Sequence, residues 1–309
     1  MNVLLVAEES AGIQVLRALA AGPNAVVAAM TAPPTRGGGT TVAVVAEQLG
    51  VPVLPSEGVR DPGTAAWIRE HDVDLLLNVH SLYLIHGDVV AAPRIGSFNL
   101  HPGPLPQYAE LNAPSWAIYN GEERHAVTVH WMEPGVDTGA IAYETWFDLT
   151  DADTGLSVSV RCAREGVALM ERLLAVAADD PAAIPKQPQD LSQRRYYRRG
   201  EVPDEGRITW AQPARRIVDL VRACDYFPFP SPWGTPTARL DGDELRVLKA
   251  SRTGVAAGES PGMVGEPVES GGVSVAAEDE WILVERVQAD GGPQPAGEVL
   301  KPGVRLADG

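Results

Sequence analysis

The chain opens with short apolar runs separated by segments of helical spacing. NVLLVA (2–7), NAVVAAM (24–30) and DLLLNV (74–79) are near-continuous hydrophobic stretches of strand length, as expected of parallel strands buried on both faces. Between the first two, residues 12–20 keep Ile13, Leu16 and Leu19 on one helical face. Residues 42–49 and 63–70 read as further helices, with short strands at 51–54 and 97–101. This βαβα order predicts an α/β fold, an open and mostly parallel sheet with flanking helices and right-handed crossovers. Sites in such sheets lie beyond the carboxyl ends of the strands.

Downstream, residues 112–120 read as a helix capped by Asn112 with Pro114 in its first turn. Residues 126–132 and 140–149 alternate as two strands joined across GVDTG, and a long helix spans roughly 155–177. Residues 180–206 are rich in Pro, Gln and Arg without a sustained period, the signature of a surface linker. After a helix at 212–224 come short alternating strands broken by Gly, Pro and Asp, which predict a small β-barrel. The expected organisation is a first domain over 1–180, a linker over 181–206 and a C-terminal β-barrel-like domain over 207–309.

Charge narrows the choice of partner. The 309 residues carry 41 acidic against 25 basic side chains, a net −16, and only three of the basic residues are lysines. Such a balance argues against nucleic acid, or any partner held by phosphate neutralisation. Cys162 and Cys224 have neither CxxC spacing nor companion histidines, so neither a zinc site nor a disulfide framework is expected. The N-terminus has no basic n-region, and no stretch approaches the roughly 18 apolar residues of a membrane span. The expectation is a cytoplasmic protein that uses no metal and no membrane.

Two segments carry the chemistry. FNLHPGPLP (98–106) places Asn99 and His101 two residues apart, so both side chains share one face of an extended strand while Leu100 points to the core. Pro102, Pro104 and Pro106 then end the strand. GVDTG (135–139) supplies Asp137. An amide donor, a titratable base and an acid are what acyl transfer from a stable amide to an amine requires.

These motifs stand in a recognisable order. Asn99-Leu100-His101, the loop PGPLPQY, the helix SWAIYNGE and the turn Val136-Asp137-Thr138-Gly139 together resemble the folate-dependent formyltransferase family, whose best-known member is methionyl-tRNA formyltransferase. The segment ITWAQPARRIVDLVRAC resembles the helix that enters that family's C-terminal barrel, so the likeness covers nearly the whole chain. The resemblance implies the formyltransferase fold, 10-formyltetrahydrofolate as donor and an N-formyl amine as product. It implies that Asn99 offers its N–H to the developing oxyanion. It gives His101 the task of polarising the formyl oxygen or taking the amine proton, and Asp137 that of orienting His101 or a water and relaying a proton. HSLYLIHGD (80–88) matches the family loop that receives the pterin ring, which makes His80, Leu82, Tyr83, Leu84 and Ile85 the expected folate contacts.

Departures from the tRNA enzyme bear on the acceptor. Glu110 stands where the family has a glycine, and YAELNAPSWAI is closer to formyltransferase-like domains of natural-product assembly lines. Ala7-Glu8-Glu9-Ser10 replaces a Gly-Thr-Pro turn, and TAPPTRGGGTT, with Arg36 its only base, replaces a lysine-rich insertion. Glu8, Ser10 and Glu110 are therefore candidate contacts to an amine acceptor. The sequence favours an N-formyltransferase for a small or carrier-tethered amine in specialised metabolism. Methionyl-tRNA formyltransferase, a formyl-folate hydrolase and an inactive formyltransferase-like interaction domain are the alternatives.

Overall fold

A computed structural model describes residues 1–33, 39–289 and 291–309 of the chain. Arg36 lies outside the described residues. In chain order the main elements of the first part are β1 (Asn2–Ala7), α1 (Glu9–Ala21), β2 (Ala25–Thr31), α2 (Val42–Gln48), β3 (Val53–Pro55), α3 (Thr64–Glu70), β4 (Leu75–Val79) and β5 (Gly96–His101). They are followed by α4 (Ala113–Tyr119), β6 (Arg124–Trp131), β7 (Ile141–Asp148) and α5 (Gly155–Asp179).

The chain divides into two compact units. The first comprises Met1–Glu110, Arg124–Phe147 and Ser159–Tyr196. Its sheet runs β3-β2-β1-β4-β5-β6-β7, with β1 to β5 parallel and β6 antiparallel to β5. The near-continuous apolar runs are the central strands, buried on both faces as their composition predicts: Val3 to Ala7 and Leu75 to Leu77 have no exposed surface. One core cluster joins Leu4, Val6, Met30 and Leu76 to Ile68 and Val89, each large side chain contributing roughly 1.5–3 kcal/mol of burial. On the opposite side, α5 closes tightly on β5. A Cβ at Gly166 would lie 2.8 Å from both Leu100 methyl groups, so glycine is what lets the helix seat on that side chain. Leu100 thus points inward as its spacing predicts, and the strand bearing Asn99 and His101 is fixed from behind.

The second unit comprises Leu111–Glu123, Asp148–Val158 and Tyr197–Gly309. It contains α6 (Ala214–Ala223), β8 (Thr237–Leu240), β9 (Asp243–Ala256), β10 (Val264–Pro267), β11 (Val273–Ala276), β12 (Glu280–Gln288) and β13 (Ala307–Asp308). These strands form an antiparallel sheet in the order β10-β11-β12-β9-β8-β13, a half-barrel where the short alternating runs predict a small β-barrel. Among the described residues no helix is long and apolar enough to cross a membrane.

Three local expectations need correction. Asn112 does not cap α4 through its side chain; it sits at φ +60° and makes no capping hydrogen bond. The third strand starts two residues later than its pattern suggests, because Val51 turns back to bond Ala46 at the end of α2. And the first loop is shorter than expected: α1 begins at Glu9, so Ser10 belongs to its opening turn.

Candidate active site

The strand register builds the site. Asn78 of β4, Asn99 of β5 and His130 of β6 are direct neighbours across three adjacent strands. The Asn78 Nδ2 donates to Asn99 Oδ1 at 2.9 Å, which fixes the Asn99 amide with its nitrogen facing the other way. That nitrogen lies 3.0 Å from His130 Nε2 and donates to Asp137 Oδ1 at 3.2 Å. His130 Nδ1 bonds the Trp131 carbonyl at 2.8 Å, and since a carbonyl only accepts, Nδ1 carries the proton and Nε2 accepts from Asn99.

Asp137 comes from the loop joining β6 to β7, which doubles back over the sheet. Its backbone is left-handed, at φ +53°, a conformation that Asp tolerates better than most side chains. Oδ2 accepts from the Glu110 backbone N–H at 2.9 Å and lies 3.6 Å from His101 Nδ1, while Oδ1 is 3.3 Å from His130 Nε2. Glu110 itself is left-handed at φ +78°, so two non-glycine residues are held in an uncommon backbone region where they meet. His101 donates from Nε2 to the Tyr108 carbonyl, leaving Nδ1 as the free ring nitrogen beside the carboxylate.

Electrostatics follow from this burial, with only 4% of the His101 side chain and 10% of Asp137 exposed. Burial holds the His101 imidazole below its ordinary value, outweighing the nearby Asp137 carboxylate and the Tyr108 carbonyl, which favour the proton. Burial alone would raise Asp137. The His101 and His130 imidazoles in their charged forms, together with the Glu110 N–H, overcome it and hold the carboxyl well below the usual range. The resting site is therefore a carboxylate beside a neutral imidazole.

The loop after β4 presents apolar side chains and open backbone donors. Leu82 and Leu84 are exposed at 49% and 73%. Among the described residues, the backbone N–H groups of Leu82, Leu84 and Ile85 have no partner in the protein. Open donors between apolar side chains fit a heterocycle with a hydrogen-bonding edge. Tyr83 and Ile85 instead pack against the core cluster around Leu4 and Leu76, so their side chains are partly spent on the fold. His80 is left-handed at φ +61° and its Nδ1 lies 3.0 Å from Glu9 Oε2.

The expected acceptor contacts fare differently. Glu8 is committed elsewhere: Oε2 accepts from the Thr31 hydroxyl at 3.0 Å and Oε1 from the Ala32 N–H at 2.7 Å, tying the end of β1 to the end of β2. A carboxylate with both oxygens so engaged is a brace, which removes the simplest reason for giving it a substrate amine. Ser10 is exposed in α1, apart from the hydrogen-bonded group around Asn99. Glu110 joins that group through its backbone. Asn78 and His130 belong to it as well; Asn78 is the lone polar residue of its buried strand, whereas His130 shares its strand with Arg124, His125 and Thr128 and has no such signal.

Two family models match the chain. The formyl transferase model matches residues 2–174 and the formyl transferase C-terminal domain model matches residues 202–302. The chain belongs to the formyl transferase family. A methionyl-tRNA formyltransferase of Anaeromyxobacter sp. (strain K) is 34% identical over 260 residues, 83% of this chain and 80% of the relative. Among solved structures, an N-formyltransferase from Helicobacter canadensis in complex with folinic acid and dTDP-3-aminofucose aligns with a TM-score of 0.70. The alignment covers 91% of this chain and 98% of that one, at 16% identity. WlaRD, a sugar 3N-formyl transferase solved in the presence of dTDP and 5-N-formyl-THF, aligns with a TM-score of 0.69 at 15% identity, covering 94% and 98%. At such identities these structures speak to the fold. Relatives with a tRNA acceptor and neighbours with a sugar acceptor both lie within reach of this chain, so membership leaves the acceptor open.

Proposed function

We propose that this protein is an N-formyltransferase that moves the formyl group of a formyl-tetrahydrofolate to the amine of a small or carrier-tethered acceptor in specialised metabolism. The observation that carries the reaction is the convergence of Asn99, His101 and Asp137, with His130, in one buried hydrogen-bonded group. The bound folate presents a formyl carbon that an amine can attack, and the open backbone donors of residues 82–85 with Leu82 and Leu84 are suited to hold its ring.

The protein's own groups divide the remaining work. Because His101 Nε2 is tied to Tyr108, Nδ1 is the nitrogen available, and in a neutral ring it is a lone pair. Of the two roles open to His101, the geometry favours the base that takes the amine proton over a donor to the formyl oxygen. The imidazolium so formed faces Asp137 Oδ2 across 3.6 Å, an arrangement that stabilises it. Asn99 supplies an N–H to the negative charge developing on the formyl oxygen. Both of its amide hydrogens are engaged at rest, so one exchanges a protein partner for that oxygen. One such donor is typically worth about 2.7–4 kcal/mol. Asp137 completes the proton path, returning a proton to the departing folate nitrogen through His101 or a water.

The small acceptor rests on charge. A tRNA acceptor gains affinity from several phosphate contacts to Lys and Arg, and a chain with 41 acidic against 25 basic side chains, at a net −16, repels a polyanion. Of the arginine run at 194–199, Arg194 is turned inward onto the Val136 carbonyl. Cys162 and Cys224 are both free and buried, as suits a reducing cytoplasmic setting. The test is to incubate the protein with 10-formyltetrahydrofolate and a panel of amines, amino sugars and amino acids, and to follow formylated products by mass spectrometry. Formylation of one acceptor class that fails on Asp137→Asn supports the reading. Hydrolysis of the donor without transfer to any acceptor, tRNA included, would replace it with the hydrolase.

A further inference from the structure

The segment after α5, which reads as a surface linker, grips the loop that carries Asp137. It first adds to the sheet edge, where Gln187 and Ile141 of β7 exchange backbone hydrogen bonds at 2.8 and 3.0 Å. Gln189 then donates from Nε2 to two carbonyls of the loop, Asp137 O at 3.0 Å and Gly139 O at 2.6 Å. Arg194 donates to a third, Val136 O, at 2.7 Å. Three carbonyls in four residues are thus held by two side chains from one strap.

We infer that Gln189 and Arg194 are positioning residues that hold the 135–139 loop in the conformation that aims the Asp137 carboxylate at His101 and Asn99. This inference rests on the formyl-transfer reading only for its kinetic consequences. Two observations argue that the contacts do more than fill space. Asp137 is left-handed at φ +53°, a backbone state that surrounding contacts must over-determine if it is to persist. And Gln189 leaves its Oε1 buried with no partner among the described residues, an unfavourable arrangement that a plain surface linker has no reason to keep. Turning the amide over would set Oε1 against two carbonyl oxygens, so the donor orientation is the one the loop dictates. With the carbonyls released, the loop can relax, and Asp137 then moves away from the His101 and His130 imidazoles and the Glu110 N–H that hold its carboxyl below the usual range.

Gln189→Met, of similar length, and Arg194→Met, which keeps an unbranched apolar stem, both remove the donors and test this in the intact protein. Carboxyl-detected NMR of the substrate-free protein should show wild-type Asp137 ionised down to the acid limit of folding. In either variant it should titrate in the ordinary carboxylate range near about 3.9. In formyl transfer, kcat should fall roughly 10- to 100-fold with both KM values within about twofold, the pattern of a misplaced group rather than lost binding. Arg194→Lys, which keeps a donor, should recover most of the rate. An Asp137 titration unchanged from wild type in Gln189→Met overturns the inference, as does an unchanged kcat. If one Met variant does not fold, the other takes the same readings. Because the NMR reading needs neither donor nor acceptor, a wrong functional assignment fails in the wild-type assay and leaves the titration to decide the clamp.

Discussion

Replacing Asp137 by Asn separates the chemical role of this residue from its structural one. The carboxylate accepts from the Glu110 N–H at 2.9 Å and from Asn99 Nδ2 at 3.2 Å. An amide in its place has one oxygen, so its NH2 must oppose one of these two donors. A hydrogen bond to a charged group is worth about 1.5–3 kcal/mol, and one of the two is lost. Against this, the substitution removes a charge that is costly to bury, so the net destabilisation should stay below about 3 kcal/mol. At roughly 2–4 °C per kcal/mol for a chain of this size class, the melting temperature should drop by less than about 12 °C. The rate should respond far more. With no carboxylate to stabilise the His101 imidazolium or return the proton, kcat should fall by about 10²- to 10⁴-fold, while reduced folate still binds by calorimetry. The assay is steady-state formylation at 25 °C with both substrates saturating, alongside a thermal melt. A kcat within about tenfold of wild type in a folded variant would refute the role given to Asp137.

Further outcomes follow from other sites. Asn99→Ala should lower kcat by about 10²- to 10³-fold, as for loss of one oxyanion donor, measured in the same assay; an effect confined to KM would show that Asn99 only binds. Leu82→Ser with Leu84→Ser should weaken calorimetric binding of a reduced folate by roughly tenfold for about 1.4 kcal/mol of lost apolar contact, and an unchanged affinity would move the ring elsewhere. Burial depresses His125 to about 4, with Nε2 donating to the Pro102 carbonyl. Its contribution is full above the unfolded value of about 6.5 and is lost as pH falls toward the folded one, a gap worth roughly 3 kcal/mol. Melts at pH about 7.5 and about 4.5 should therefore diverge less in His125→Gln than in wild type, and equal divergence would exclude the histidine as the cause. A Cβ at Gly139 would sit 1.9 Å from the Trp131 carbonyl oxygen, so Gly139→Ala should destabilise by at least about 1–3 kcal/mol in denaturant melts and reduce activity with it; a neutral result would mean the loop yields freely.

How much of this was legible depended on whether the governing contact was local. The buried strands 2–7 and 74–79 announce themselves because their neighbours on both faces are apolar. The shared face of Asn99 and His101 follows from strand geometry alone. His130 did not announce itself, since its place opposite Asn99 depends on a register between β5 and β6 that no local pattern sets. Glu8 looked available for a cationic substrate, yet its carboxylate is taken by Thr31 and Ala32 at the end of another strand, 23 and 24 residues away. The segment around Gln189 has linker composition because it is irregular and mostly exposed. Its side-chain bonds to the Asp137 loop span 50 and 52 residues and leave no periodic trace.

The identity of the acceptor decides the function. The most direct measurement is a competition in which initiator methionyl-tRNA and a panel of small amines are offered together with excess 10-formyltetrahydrofolate, and the formylated products are quantified as salt is raised. A small amine should take the formyl group with weak salt dependence, and the tRNA should remain unmodified. Preferential formylation of the tRNA, falling steeply with salt as phosphate contacts require, would contradict it.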